Sequence, residues 1–286
     1  MTDRPRLLCA ALFSMLATLS TATQAQPQLS AAPVAARADL SPAPTRVAGR
    51  VVARDDGFVY QWPGLYFETA FEGRSAYFKV GDGLVILRAS VDGQVLPPLV
   101  KPAPGLYQVS QLAPGRHRLR IEVLTEHQAG PKRFGGFLLA ADARAAELPR
   151  RARRMEFIGD SHTVGYGNTS AGQQCTDEQV WSTTDNTLAY GPLTARRYDA
   201  DYRVHAISGR GVVRNYDGSA SPHLPEAYPF ALLDASSQRD DSAWQPHVVA
   251  IALGTNDFST PLKAGEAWKT RADLQADYQR TYAAFL

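Results

Sequence analysis

From residue 47 to about residue 141 the chain alternates short apolar runs with turn residues, the runs falling at 65–71, 76–80, 84–91, 118–124 and 137–140. In the fourth run Leu119, Ile121 and Val123 lie on one side of an extended chain, and Arg118, Arg120 and Glu122 on the other. That two-residue period is the mark of a half-buried antiparallel strand. Gly81-Asp82-Gly83, Asp92-Gly93 and Pro114-Gly115 separate the runs at the spacing of a sandwich. An all-β sandwich or jelly roll is therefore expected over residues 46–145. Beyond residue 152 the pattern changes to strand, helix, strand: apolar runs at 155–158, 202–207 and 248–253, a helix around 188–198, and a last helix from Asp273. Leu274, Tyr278, Tyr282 and Phe285 recur at helical spacing in that last helix, so one of its faces is expected to pack on a sheet. Such alternation predicts a mostly parallel α/β domain over 152–286.

Two segments precede the sandwich. Arg4 and Arg6, an apolar stretch at 7–19 and a small-residue site at 23–25 read as a cleaved signal peptide over 1–25, and so predict a secreted or periplasmic protein. The apolar run is shorter than the ~20 residues a spanning helix needs, so no membrane attachment is expected after cleavage. Residues 26–45 are Ala, Pro and Ser with almost no large apolar side chain, which predicts a flexible linker.

Composition narrows the function. With 286 residues, 44% of them apolar, the chain can fill about two domains. A net charge of +2 and scattered arginines give no footprint for nucleic acid. No His and Cys spacing suggests a metal site, and Gly165-Tyr166-Gly167 lacks the third glycine of a dinucleotide loop, so no cofactor is expected. Cys9 lies in the signal segment, which leaves Cys175 as a lone cysteine in an exported chain.

The chemistry concentrates where apolar runs end. Gly159-Asp160-Ser161 closes the first run of the α/β domain, Ser208-Gly209-Arg210-Gly211 the second and Gly254-Thr255-Asn256-Asp257 the third. Open parallel sheets gather ligands at the carboxyl ends of their strands, so these three tips are expected to converge. A serine needs its oxyanion product stabilised. Glycine lets backbone come close, and an amide side chain donates without ionising. Asp160 and Asp257, beside turn glycines, are expected to support the site by capping or fixing loops instead of acting as acids.

On these motifs the chain resembles the SGNH hydrolases, also called GDSL-type esterases. The α/β-hydrolase elbow Gly-x-Ser-x-Gly is not met, because Thr163 stands at its last position. The resemblance implies a flavodoxin-like domain with Ser161 as nucleophile and with Ser161, Gly209 and Asn256 forming the oxyanion hole. A small sandwich followed by Gly-Asp-Ser-x-Thr-x-Gly-Tyr-Gly-Asn at 159–168, Asp185-Asn186-Thr187-Leu188-Ala189-Tyr190-Gly191, Arg214-Asn215-Tyr216 and Gly-Thr-Asn-Asp-Phe-Ser is similar to carbohydrate esterase family 2. That family implies a jelly roll packed on an SGNH domain, and removal of O-acetyl groups from polysaccharides such as xylan. A lipase or thioesterase, a transacetylase and a non-catalytic carbohydrate-binding protein remain as alternatives.

The family's base resembles a histidine near the end of the domain, and no histidine follows Asp257. His162 adjoins the nucleophile, but adjacent residues at such a turn point apart. His205 lies in an apolar run and reads as a hydrogen-bonded core histidine; His223 and His247 sit beside loops, and His117 and His127 belong to the sandwich. Three parallel strands are in hand where a flavodoxin-like sheet has about five. The α/β domain is thus expected to be incomplete at its C-terminus and the chain as given to be catalytically defective, with a further cysteine close to a histidine in a longer version bonded to Cys175.

Overall fold

The computed structural model describes residues 26–32, 39–81 and 83–286. The expected signal peptide over 1–25 lies outside them. Two antiparallel sheets form the first domain. One runs Gln28–Ala31, Gly105–Ser110, Ala76–Val80, Lys132–Leu139, Gly57–Tyr60, Val51–Arg54, with Ser41–Ala43 also on Lys132–Leu139. The other runs Leu99–Val100, Ile86–Val91, Gly115–Val123, Tyr66–Gly73, Arg144–Ala145, with Arg46–Ala48 on Tyr66–Gly73 and Gln94–Val95 on Ile86–Val91. Leu119, Ile121 and Val123 all point into the layer between the sheets at 0% exposure, and Phe67 of one sheet stacks on Phe134 of the other with ring centroids 4.0 Å apart. Burial of such rings dominates the stability of a core of this size.

The described parts of the expected 26–45 linker, residues 26–32 and 39–45, are in part strand. Gln28–Ala31 pairs with Tyr107–Ser110 and Ser41–Ala43 with Phe137–Leu139, both antiparallel. Edge pairing draws on backbone N–H and C=O groups, which every residue but proline has in full, so a stretch poor in large apolar side chains can still be ordered by a sheet that offers a free edge. Leu29 and Ala43 add small contributions to the core.

The second domain has three parallel strands, with Arg153–Gly159 in the centre, Ala200–Ala206 on one side and Val248–Ala252 on the other. Six helices accompany them: α1 (Ser161–Val164), α2 (Asp177–Thr183), α3 (Tyr190–Arg197), α4 (Leu224–Ala227), α5 (Thr255–Phe258) and α6 (Arg271–Phe285). Of the expected stripe on α6, Leu274 is buried and Tyr278, Tyr282 and Phe285 are partly so. Tyr278 stacks on Tyr282 and meets Phe258 edge-on, while Phe285 meets Tyr228 edge-on.

The two domains share a core. Ala48 and Tyr66 of the sandwich pack with Met155, Phe157, Val164, Tyr202 and Val204, and Trp62 packs with Ile158, Ile207 and Leu224. Around this contact Glu68, wholly buried, binds Arg120 at 2.8 Å, and Arg88 reaches Asp185 and Thr187 at 2.6 Å each. Thirteen residues, 140–152, join the last long sandwich strand to the central strand, and Arg144–Ala145 among them pair with Tyr66–Gly73, so chain length and packing both fix the arrangement.

Beneath the sheet lies a buried polar cluster. Glu156 accepts hydrogen bonds from His205 Nδ1 (2.7 Å), Tyr228 Oη (2.7 Å) and Trp244 Nε1 (3.0 Å). Burial alone would raise its carboxyl pKa, but these donors outweigh burial and hold it at about 2. Burial lowers His205 to about 4 despite the Glu156 bond, and burial followed by Lys132 lowers His127 to about 3. Unfolded imidazoles take protons near pH 6.5, so between that value and the folded pKa the unfolded chain binds more protons, and stability falls as pH falls. The Glu156 contribution is present above about pH 4.5 and is lost as pH falls through about 2. The melting temperature should thus decline from pH 7 to pH 5, where imidazoles dominate the titration. A melting temperature that does not change over that window contradicts this.

Candidate active site

All three strands of the parallel sheet end level with one another. Gly159 is in register with Ala206 on one side and Ala252 on the other, so the three following loops start from one edge of the sheet. The central strand delivers Ser161 directly into α1. Gly159 is required there by a close approach, because a Cβ would stand 2.0 Å from Thr163 Oγ1 and 2.9 Å from Ala252 O. Asp160, 1% exposed, caps α1 by accepting from His162 N at 3.1 Å. The far end of α1 is held by Asn186, whose Nδ2 donates to Thr163 O (3.1 Å) and Val164 O (2.9 Å), while its backbone N–H donates to Leu124 O of the sandwich.

The second loop, 207–215, turns around Gly209 at φ +82°. Its shape depends on Asp257, whose fully buried carboxylate accepts from the backbone N–H groups of Val212 (3.0 Å), Val213 (2.9 Å) and Arg214 (2.9 Å). Gly211 admits no side chain here, since a Cβ would lie 2.1 Å from Arg214 O and 2.6 Å from Asp257 Oδ2. Arg214, 2% exposed, closes the arrangement with bonds to Thr260 O (3.2 Å), Pro261 O (3.0 Å) and both Glu266 oxygens (2.5 and 2.9 Å). The Arg214 hydrogen bond holds the Glu266 carboxyl below its ordinary pKa.

Asn256 stands where the three tips meet. Its Nδ2 donates to Arg210 O at 2.8 Å and lies 3.4 Å from Asp160 Oδ2. The second contact is long for an N–H···O bond, so that hydrogen is held loosely beside the Asp160-Ser161 turn. Among the described residues, neither the Ser161 N–H nor the Gly209 N–H has a hydrogen-bond partner, and no side chain bonds the Ser161 hydroxyl. Ser161, Gly209 and Asn256 are thus brought to one edge, with two backbone donors unsatisfied. Asp257 is spent on backbone groups, and Asp160 on the His162 backbone N–H and the side chains of His162 and Asn256.

Every histidine is engaged elsewhere or buried apart from the serine. His162 is turned outward, with 71% of its side chain exposed and Nδ1 3.2 Å from Asp160 Oδ1. His117 bonds Asp92, His205 bonds Glu156, His223 pairs with Glu226, and His247 accepts from Arg154 N. His127 is 5% exposed beneath the sandwich. Cys175 Sγ lies 3.0 Å from Ser170 Oγ and is a free thiol among the described residues. Of the four tryptophans, Trp62 is fully buried, and Trp181, Trp244 and Trp268 are partly exposed against Lys101, Arg203 and Asp277 respectively.

Residues 47–149 match the carbohydrate esterase 2 N-terminal domain, and residues 157–285 match the GDSL-like lipase/acylhydrolase family. An acetylxylan esterase/glucomannan deacetylase of Cellvibrio japonicus is 46% identical over 251 residues, covering 86% of this chain and 70% of that protein. Among solved structures, a carbohydrate esterase described as having divergent catalytic and non-catalytic binding functions superposes with a TM-score of 0.80 at 43% identity, covering 86% of this chain and 74% of the other. A family two carbohydrate esterase from Clostridium thermocellum, solved with cellohexaose, gives a TM-score of 0.72 at 31% identity, covering 85% and 73%. The chain belongs to carbohydrate esterase family 2, with the family's mostly-β N-terminal domain followed by a GDSL-type α/β domain.

Proposed function

We propose that the chain is an exported serine esterase that removes O-acetyl groups from a polysaccharide such as xylan or glucomannan. The observation that carries this reading is the pair of unsatisfied backbone donors, Ser161 N–H and Gly209 N–H, beside the Asn256 amide at one sheet edge. Names of the relatives support the substrate class. The basic, apolar and small-residue order of residues 1–25 supports export.

In this reading the Ser161 oxygen attacks the acetyl carbonyl carbon, and the carbonyl oxygen becomes an oxyanion facing the three donors. Collapse expels the sugar oxygen, which leaves as the hydroxyl by taking up the proton that Ser161 gave up. Water then hydrolyses the acetyl-serine to acetate. Each oxyanion donor of this kind typically contributes on the order of 10² to 10³ in rate. The serine proton needs a base, and none of the six histidines bonds Ser161. With no histidine bonded to Ser161, residues 26–286 are expected to show only the residual catalysis that donors and binding give.

The test is acetate release from acetylated xylan and glucomannan by the full gene product, with aryl esters of two to eight carbons alongside. Acetate release and a sharp preference for the two-carbon acyl group are expected. A preference for long acyl chains would place the chain with the lipases.

A further inference from the structure

The loop that carries Gly209 packs on the sandwich domain through Ile207 against Trp62 and is hydrogen-bonded to it at Ser208, both backbone groups of which are bound from that side. Gln128 Nε2 donates to Ser208 O at 3.1 Å, and Glu126 Oε2 accepts from Ser208 N at 3.1 Å. Glu126 and Gln128 lie three and five residues past the end of the sandwich strand Gly115–Val123. Ser208 and Gly209 form the centre of a turn closed by Arg210 N to Ile207 O at 3.2 Å, and the φ of +82° at Gly209 makes it a type II turn. Types I and II differ by a rotation of the central peptide unit through about 180°, and with glycine at the third position both forms are open to the chain.

That central unit contains Ser208 C=O and Gly209 N–H. The unit is planar and trans, so its C=O and N–H point in opposite directions. A donor fixed on Ser208 O from the sandwich side therefore turns Gly209 N–H away from the sandwich. Accepting that bond also polarises the unit and makes its N–H a stronger donor.

We propose that the sandwich completes the oxyanion hole, with Gln128 holding and polarising the Ser208–Gly209 peptide and Glu126 fixing the unit before it. Both are positioning residues: they act through the Gly209 N–H and touch no reacting atom. The clamp rests on the reading of Gly209 as an oxyanion donor. Burial pushes the Glu126 carboxyl up from its ordinary pKa against the hydrogen bonds from Ser208 and Gln128, as a carboxylate enclosed between two domains requires. The same loop reaches the third donor, because Arg210 O holds Asn256 Nδ2 at 2.8 Å. The N-terminal domain thus becomes part of the catalytic apparatus.

The experiment is steady-state hydrolysis of an aryl acetate by the full gene product and by Gln128→Glu, Gln128→Ala, Glu126→Ala, Glu126→Gln and Asn256→Ala, with melting temperatures. Gln128→Glu keeps the size of the side chain but presents only acceptors to Ser208 O, so kcat should fall about tenfold or more with KM within about twofold. Gln128→Ala should lose less, because water can replace the donor at an exposed carbonyl. Glu126→Gln retains an oxygen for Ser208 N–H and should keep kcat near that of the parent, whereas Glu126→Ala should lose it with the Gln128 variants. If Gln128→Glu fails to fold, the contrast between Glu126→Ala and Glu126→Gln reads the same clamp. Unchanged kcat in Gln128→Glu, or a loss confined to KM, overturns the proposal. If Asn256→Ala then still costs about 10² or more in kcat, the oxyanion hole stands and only the clamp is wrong; if neither variant changes kcat, the hole itself is misplaced and both readings fall.

Discussion

Replacement of Ser161 by alanine should reduce kcat for acetyl esters in the full gene product by roughly 10⁴-fold or more, with no change in melting temperature beyond about 2 °C. The rate effect follows from losing the atom that forms the acyl bond. The thermal neutrality follows from the structure, because the Ser161 hydroxyl makes no hydrogen bond among the described residues and α1 is capped by Asp160, not by the serine. The Ser161 backbone N–H survives the substitution, so background hydrolysis above that of water should persist. A variant retaining more than a tenth of the parent kcat contradicts the assignment.

Asp257→Ala should be the most damaging change outside the nucleophile, and by a different route. The carboxylate is 0% exposed and satisfies three consecutive backbone N–H groups of the loop that carries Gly209. Its removal leaves three buried donors unpaired, each costing about 1–3 kcal/mol, partly relieved if water enters the gap. A loss of roughly 3–5 kcal/mol in stability is expected, together with a kcat loss from misplaced Gly209. Asp257→Asn keeps one acceptor oxygen and should fall between. Thermal unfolding of both variants checks this; a shift of less than about 2 °C in Asp257→Ala would show that the loop does not depend on the carboxylate.

The parts of the structure legible in the sequence are those set by local pattern. Alternation at 118–124 foretells that Leu119, Ile121 and Val123 face the core, and the glycine turns at the ends of three apolar runs foretell where those strands stop. The level register of the three strands then follows from the parallel sheet. Contacts between distant segments carry no such signal. Gln28–Ala31 and Ser41–Ala43 are held chiefly by backbone pairing, with only Leu29 and Ala43 reaching the core, so their composition reads as linker. Arg214 stands in a recognisable motif, yet nothing in its neighbours indicates that its partners are Thr260, Pro261 and Glu266, 46 to 52 positions away. Glu126 and Gln128 look like ordinary polar residues after a strand, and their roles emerge only once the turn at Ser208 lies against them.

The central claim, that one serine at the sheet edge does the chemistry, is tested most directly by an irreversible phosphonate ester whose phosphorus mimics the tetrahedral acetyl centre. The full gene product is inactivated with it, digested and mapped by mass spectrometry. One phosphonyl group per chain on the peptide containing Ser161, appearing in step with loss of acetate release and absent from Ser161→Ala, is the expected result. Inactivation with the label on another residue, or full labelling of Ser161 with acetate release unchanged, would contradict it.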